Sequence, residues 1–158
     1  TREQAAARPF GSGAVQKSDN EALVAFLTAE SKGVRMNVPN AHPKEKEALA
    51  LGEKIFYFRG GPYDFSCATC HASDNTRIRL QDLPNLTKQA GAQLAYTTWP
   101  AYRVSQGELR SFQWRLYDCF RQQRFPELEF TSEASIALQV YMAQHAAGGV
   151  IAVPGVRR

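Results

Sequence analysis

Apolar positions recur in steps of three and four along most of this chain, the spacing of helices that bury one face. Leu23, Phe26 and Leu27 mark the first such face, with Ser18-Asp19-Asn20-Glu21 as a capping box opening it and Gly33 as its stop. After a connector over 36–43, Ala48, Leu51, Gly52, Ile55 and Phe56 line one side of a helix predicted over 43–57. Pro43 suits its first turn. Gly52 costs that helix about 1 kcal/mol relative to Ala, and its predicted use is to let another helix approach closely. Residues 72–100 are polar and broken by Asp74-Asn75, Asp82, Pro84-Asn85 and Gly91, which predicts irregular structure. Ser105-x-x-Glu108 predicts a second capping box, opening a helix over 106–121 with Leu109, Phe112, Leu116 and Cys119 on one stripe. A last helix is predicted over 132–147, with Ile136, Ala137, Val140 and Tyr141 inward and Gly148-Gly149 ending it. No segment of note alternates with the period of a strand. The expected fold is all-α: a tail or linker over 1–17, then one helical domain over 18–158.

Composition fits that picture. A chain of 158 residues, 44% hydrophobic and 22% charged, is long enough for one domain with a sizeable core. No apolar run approaches the ~18 residues that a membrane-spanning helix needs. The net charge of +4 is carried by thirteen Arg against six Lys, and arginine suits planar and oxyanionic partners. There is no basic run or aromatic-basic platform, so a nucleic-acid partner is not expected. The chain begins at Thr1, which leaves a cleaved export signal or a cut fragment as open readings.

The strongest chemical signal is Cys67-Ala68-Thr69-Cys70-His71. Two cysteines three apart, followed at once by histidine, are the attachment signature of haem c. Each thiol adds to one haem vinyl group, and His71 ligates the iron. A redox pair would not require the histidine, and a zinc site would need two more ligands from Cys119, His42 and His145. Covalent haem attachment takes place outside the bacterial cytoplasmic membrane, so the periplasm is the expected compartment.

The second axial ligand has five candidates: Met36, Met142, His42, His145 and Cys119. Met142 lies within the last predicted helix beside Tyr141, where packing is the ordinary role, and His145 sits near that helix's end. Cys119 follows the haem motif by about fifty residues on a core-facing stripe. A buried inert thiol is its alternative reading. Arg115 lies one turn earlier on the same face, with Arg110, Arg121 and Arg124 nearby in sequence. Several guanidinium groups beside a thiol would favour the thiolate and attract an oxyanion.

The segment Arg115-Leu116-Tyr117-Asp118-Cys119 with Arg124 resembles the R-x-x-x-C-x-x-x-x-R segment of the SoxA family. Gly52-x-x-x-Phe56-Tyr57, the haem motif, Pro100-Ala101-Tyr102-Arg103 and Gly148-Gly149…Val153-Pro154-Gly155-Val156 match in the same order. The resemblance covers about 20–158. It implies a cytochrome c-like subunit of a SoxAX thiosulfate-oxidising complex, carrying one covalent haem c through Cys67 and Cys70. It also implies His71 and a Cys119 thiolate or persulfide as iron ligands, and Arg115 as the catalytic arginine that positions thiosulfate. The implied partners are a SoxX-like monohaem cytochrome c, the sulfur carrier SoxYZ, whose cysteine receives thiosulfate, and a downstream cytochrome c. The family's additional N-terminal domain is not expected within residues 1–17, which read as the stub of a truncated protein or the end of a compact variant. A plain electron-transfer cytochrome and a thiosulfate dehydrogenase making tetrathionate are the alternative functions.

Overall fold

The computed structural model describes residues 13–78 and 81–158. Helix α1 (Gly13–Glu30) leads to α2 (Pro43–Tyr57) and the one-turn α3 (Cys67–His71). A small antiparallel pair, β1 (Arg77–Ile78) and β2 (Gln81–Asp82), precedes α4 (Gln89–Tyr96). The hairpin β3 (Ala101–Arg103) and β4 (Glu108–Arg110) leads into α5 (Phe112–Gln123), α6 (Glu133–His145) and the closing strand β5 (Gly155–Arg157). The architecture is mostly helical, and β3 lies between β4, antiparallel, and β5, parallel.

The core is built where α2 crosses α6. Helix α2 has its predicted bounds, and His42 fixes its start. The ring Nδ1 accepts from the Lys44 N–H at 3.1 Å, while the His42 N–H donates to Glu45 Oε2 at 2.9 Å. Gly52 has the role its position predicts. A Cβ there would lie 2.1 Å from the Ala137 carbonyl oxygen and 2.7 Å from Tyr141 Cβ, so only glycine lets the two helices touch this closely. The Phe56 and Tyr141 rings meet at 5.1 Å. Leu86, Leu116, Leu128, Leu138 and Met142 complete the buried cluster.

Five expectations need correction. Residues 13–17 belong to α1 rather than to a tail, and Ser18 lies inside the helix; residues 1–12 of the expected tail fall outside the described residues. The helix carrying Cys119 starts at Phe112, not near 106: Gly107 takes a positive φ of 68° and turns β3 back into β4. Its N-cap is Ser111, whose Oγ accepts from the Trp114 N–H at 3.2 Å. On α6, Ile136 is exposed while Ser135 and Leu138 are buried, because the inward arc runs 135, 138, 142 rather than 136, 140. Finally, strands are present, each of two or three residues, too short to print a period-two pattern. The expected apolar face of α1 is also left uncovered, with Phe26 and Leu27 exposed.

Candidate haem and sulfur site

The attachment motif is folded by its own cap. Ser66 Oγ accepts from the Thr69 N–H at 3.1 Å, and the Ser66 N–H donates to Thr69 Oγ1 at 2.9 Å. This reciprocal capping box winds Cys67–His71 into a single turn. Cys67 and His71 then share a helical face, one turn apart. The turn packs at the margin of the core through Cys67 and Ala68.

His71 is held in one tautomer. Its Nδ1 donates to the Pro84 carbonyl at 3.1 Å, which leaves Nε2 as the lone-pair nitrogen, the arrangement of metal-binding imidazoles. Burial lowers its pKa, the Pro84 contact opposes this, and the charge of Arg115 adds to the lowering. The ring is therefore kept neutral. The segment that supplies Pro84 is itself tied down. Leu86 N–H donates to the His71 carbonyl at 2.8 Å, Asn85 Nδ2 donates to Asp74 Oδ1 at 2.9 Å, and Lys88 pairs with Asp74.

Helix α5 brings Cys119 into the same neighbourhood. Burial pushes the Cys67 thiol up to about 12, with Cys119 the next contributor. The Cys119 thiol is pushed up by burial first; Asp118 and Cys70 add to this, while Arg115 and Arg103 oppose it. Burial thus outweighs the arginines, contrary to the expectation that they favour the thiolate. A metal cation at the sulfur would reverse that balance.

Asp118 organises the polar side of the helix. It is 3% exposed. Arg115 Nη1 donates to its Oδ2 at 3.0 Å, Arg121 Nη2 to its Oδ1 at 2.8 Å and Gln122 Nε2 to its Oδ2 at 2.7 Å. Arg115 is thereby fixed next to the cysteine it precedes by one turn.

Comparison with known proteins shows what this chain is like. The chain is 51% identical over 143 residues to the L-cysteine S-thiosulfotransferase subunit SoxA of Hydrogenophilus thermoluteolus, covering 90% of this chain and 52% of that protein. It is 38% identical over 136 residues to the subunit of the same name from Hydrogenobacter thermophilus, covering 85% of this chain and 51% of the relative. This is a SoxA-like chain. It spans about half the length of the curated relatives it matches. The fold matches the crystal structure of SoxXA from P. pantotrophus with a TM-score of 0.75 at 24% identity, over 87% of this chain and 49% of that one. No family model matches.

The SoxA-like chain uses fewer of its arginines at the cysteine than the sequence suggests. Arg110 pairs with Glu21 and Glu108, and its guanidinium lies 5.0 Å from the Trp114 ring centre. Arg124 occupies the left-handed C-cap of α5 and lies over Tyr63 at 5.6 Å. Arg121 serves Asp118 from the surface. Arg115 and Arg103 are the arginines whose charges reach Cys119. Arg103 was given no role by spacing, because it sits in a three-residue strand distant in sequence from Cys119. The other axial candidates have structural employment: Met142 is in the core, His42 caps α2, His145 stacks edge-on against Tyr141 at 4.6 Å, and the Met36 backbone bonds Gly148 and Gly149.

The site fits a haem c. It offers two thiols on one turn, an imidazole with a fixed tautomer, a further partly buried sulfur, and exposed rings of Phe58, Tyr63 and Phe65 just before the motif.

Proposed function

We propose that this chain is the catalytic haem region of an L-cysteine S-thiosulfotransferase. It would join thiosulfate to a cysteine of a SoxYZ-type carrier in the periplasm, in complex with a SoxX-like monohaem cytochrome c. The observation that carries the reading is the gathering of Cys119, Arg115 and the Cys67–His71 turn in one neighbourhood of a SoxA-like chain. The compartment follows from the attachment motif.

In this reading Cys67 and Cys70 would hold one haem c through thioether bonds, and His71 Nε2 and Cys119 Sγ would serve as its iron ligands. When bound, the haem supplies a one-electron relay at the reacting sulfur. Arg115 receives the oxyanion end of thiosulfate, and Asp118 holds that guanidinium in place. Cys119 handles the sulfur. A sulfur–sulfur bond forms between thiosulfate and the carrier thiol; one proton and two electrons leave. The electrons pass singly through the partner cytochrome to a downstream cytochrome c.

Incubation of the purified complex with thiosulfate, oxidised cytochrome c and carrier tests this. Mass spectrometry should find a thiosulfonate adduct on the carrier cysteine. Tetrathionate with an unmodified carrier would assign a thiosulfate dehydrogenase, and no sulfur product would leave an electron-transfer cytochrome.

A further inference from the structure

Among the described residues, Arg103 is an arginine without an ion-pair partner. Arg110, Arg115 and Arg121 each pair with a carboxylate, and Arg157 donates to Thr98 Oγ1 at 2.6 Å. The partly buried side chain of Arg103 has no hydrogen bond or ion pair among the described residues, and its Nε is buried without an acceptor. A buried donor left unpaired is costly.

Its position is fixed nonetheless. Arg103 stands in the central strand of the three-stranded sheet, opposite Glu108 on one side and Arg157 on the other. Its guanidinium lies 5.8 Å from the Trp114 ring centre, and Trp114 directly precedes Arg115. Arg115, Asp118, Cys119 and Arg157 all act on its charge. Asp118 is the only carboxylate in that set, and three other donors already occupy it. The region beside Cys119 therefore holds uncompensated positive charge and an unused donor.

We propose that Arg103 is a second anion-binding residue of the thiosulfate site, holding sulfonate oxygens that Arg115 alone cannot satisfy. The proposal rests on the function given above. Thiosulfate is a dianion with three oxygens on one sulfur, and two planar guanidinium groups can share them while its outer sulfur stays free. Arg115 spends part of its fork on Asp118; Arg103 spends none of its donors on a carboxylate among the described residues. The Trp114 face limits where that fork can point.

Equilibrium binding of radiolabelled thiosulfate to the haem-loaded chain tests this, with Arg103→Gln and Arg103→Lys beside wild type. Arg103→Gln should weaken binding roughly tenfold to hundredfold, the loss of one charged hydrogen-bond partner. Arg103→Lys should recover part of it. In turnover with partner and carrier, KM for thiosulfate should rise by a similar factor while kcat changes less. The haem absorption spectrum should stay as in wild type. Unchanged thiosulfate affinity in Arg103→Gln would overturn the proposal; if the haem spectrum or potential then shifts, the guanidinium serves a haem carboxylate instead. Wild type that binds no thiosulfate would overturn the functional reading and this inference together.

Discussion

Arg115 donates to Asp118 at 3.0 Å, so the guanidinium one turn before Cys119 is aimed by the residue beside that cysteine. Asp118→Asn keeps one acceptor but loses the charge. Thiosulfate turnover should fall tenfold or more, and stability by about 1–3 kcal/mol. Arg115→Ala should cost roughly a hundredfold or more in kcat/KM with the haem retained. Steady-state kinetics with saturating carrier check both; activity near wild type in Arg115→Ala would remove it from the mechanism.

Cys119→Ala separates attachment from ligation. Haem should stay covalently bound through Cys67 and Cys70, so a denaturing gel should still stain for haem. The ferric spectrum should lose its thiolate character, and conjugation of thiosulfate should cease. A spectrum identical to wild type would place another residue on the iron.

Gly52→Ala should damage the fold without touching the site. The added Cβ would stand 2.1 Å from the Ala137 oxygen, and α2 must move off α6. Overpacking of this kind costs about 1–3 kcal/mol or more, against ~1 kcal/mol gained in helix propensity. The melting temperature should drop by several degrees. An unchanged melting curve would show that the helices separate freely there.

Acid should loosen the loop that holds Pro84 against His71. Lys88 and Asn85 hold the Asp74 carboxyl below its ordinary value of 3.8. The contribution is present in full above that value and is lost as pH falls through the lower folded one. Protection of the Leu86 amide, measured against its intrinsic exchange rate, should fall over that acid window, and Asp74→Asn should remove that fall. Protection that stays constant through the window in wild type would count against the tie.

Much of this was legible in the sequence because it is written locally. The bounds of α2 and the close approach at Gly52 follow from neighbouring residues; the turn over Cys67–His71 was not predicted, although its Ser66 and Thr69 cap is just as local. The start of α5 was not, because Ser105 and Ser111 both precede plausible helical stripes, and only Gly107 in its left-handed conformation chooses between them. Arg103 was missed because its relation to Cys119 passes through a sheet of three-residue strands. Arg110, Arg121 and Arg124 are close to Cys119 in number yet face Glu21, the surface and Tyr63. Proximity along a helix does not fix the direction of a long side chain.

The parallel pairing of β3 with β5 also bears on how the molecule is assembled. Ala101 meets Gly155, so roughly fifty residues of chain must loop back before the strand bearing Arg103 is complete. The motif turn forms from five consecutive residues and requires no such closure. In the proposed function, haem attachment would call on a structure made of neighbouring residues alone, whereas the strand that carries Arg103 needs a partner from the end of the chain. Loss of the last few residues, Gly155–Arg157, would therefore leave the motif turn intact and strip β3 of its parallel neighbour.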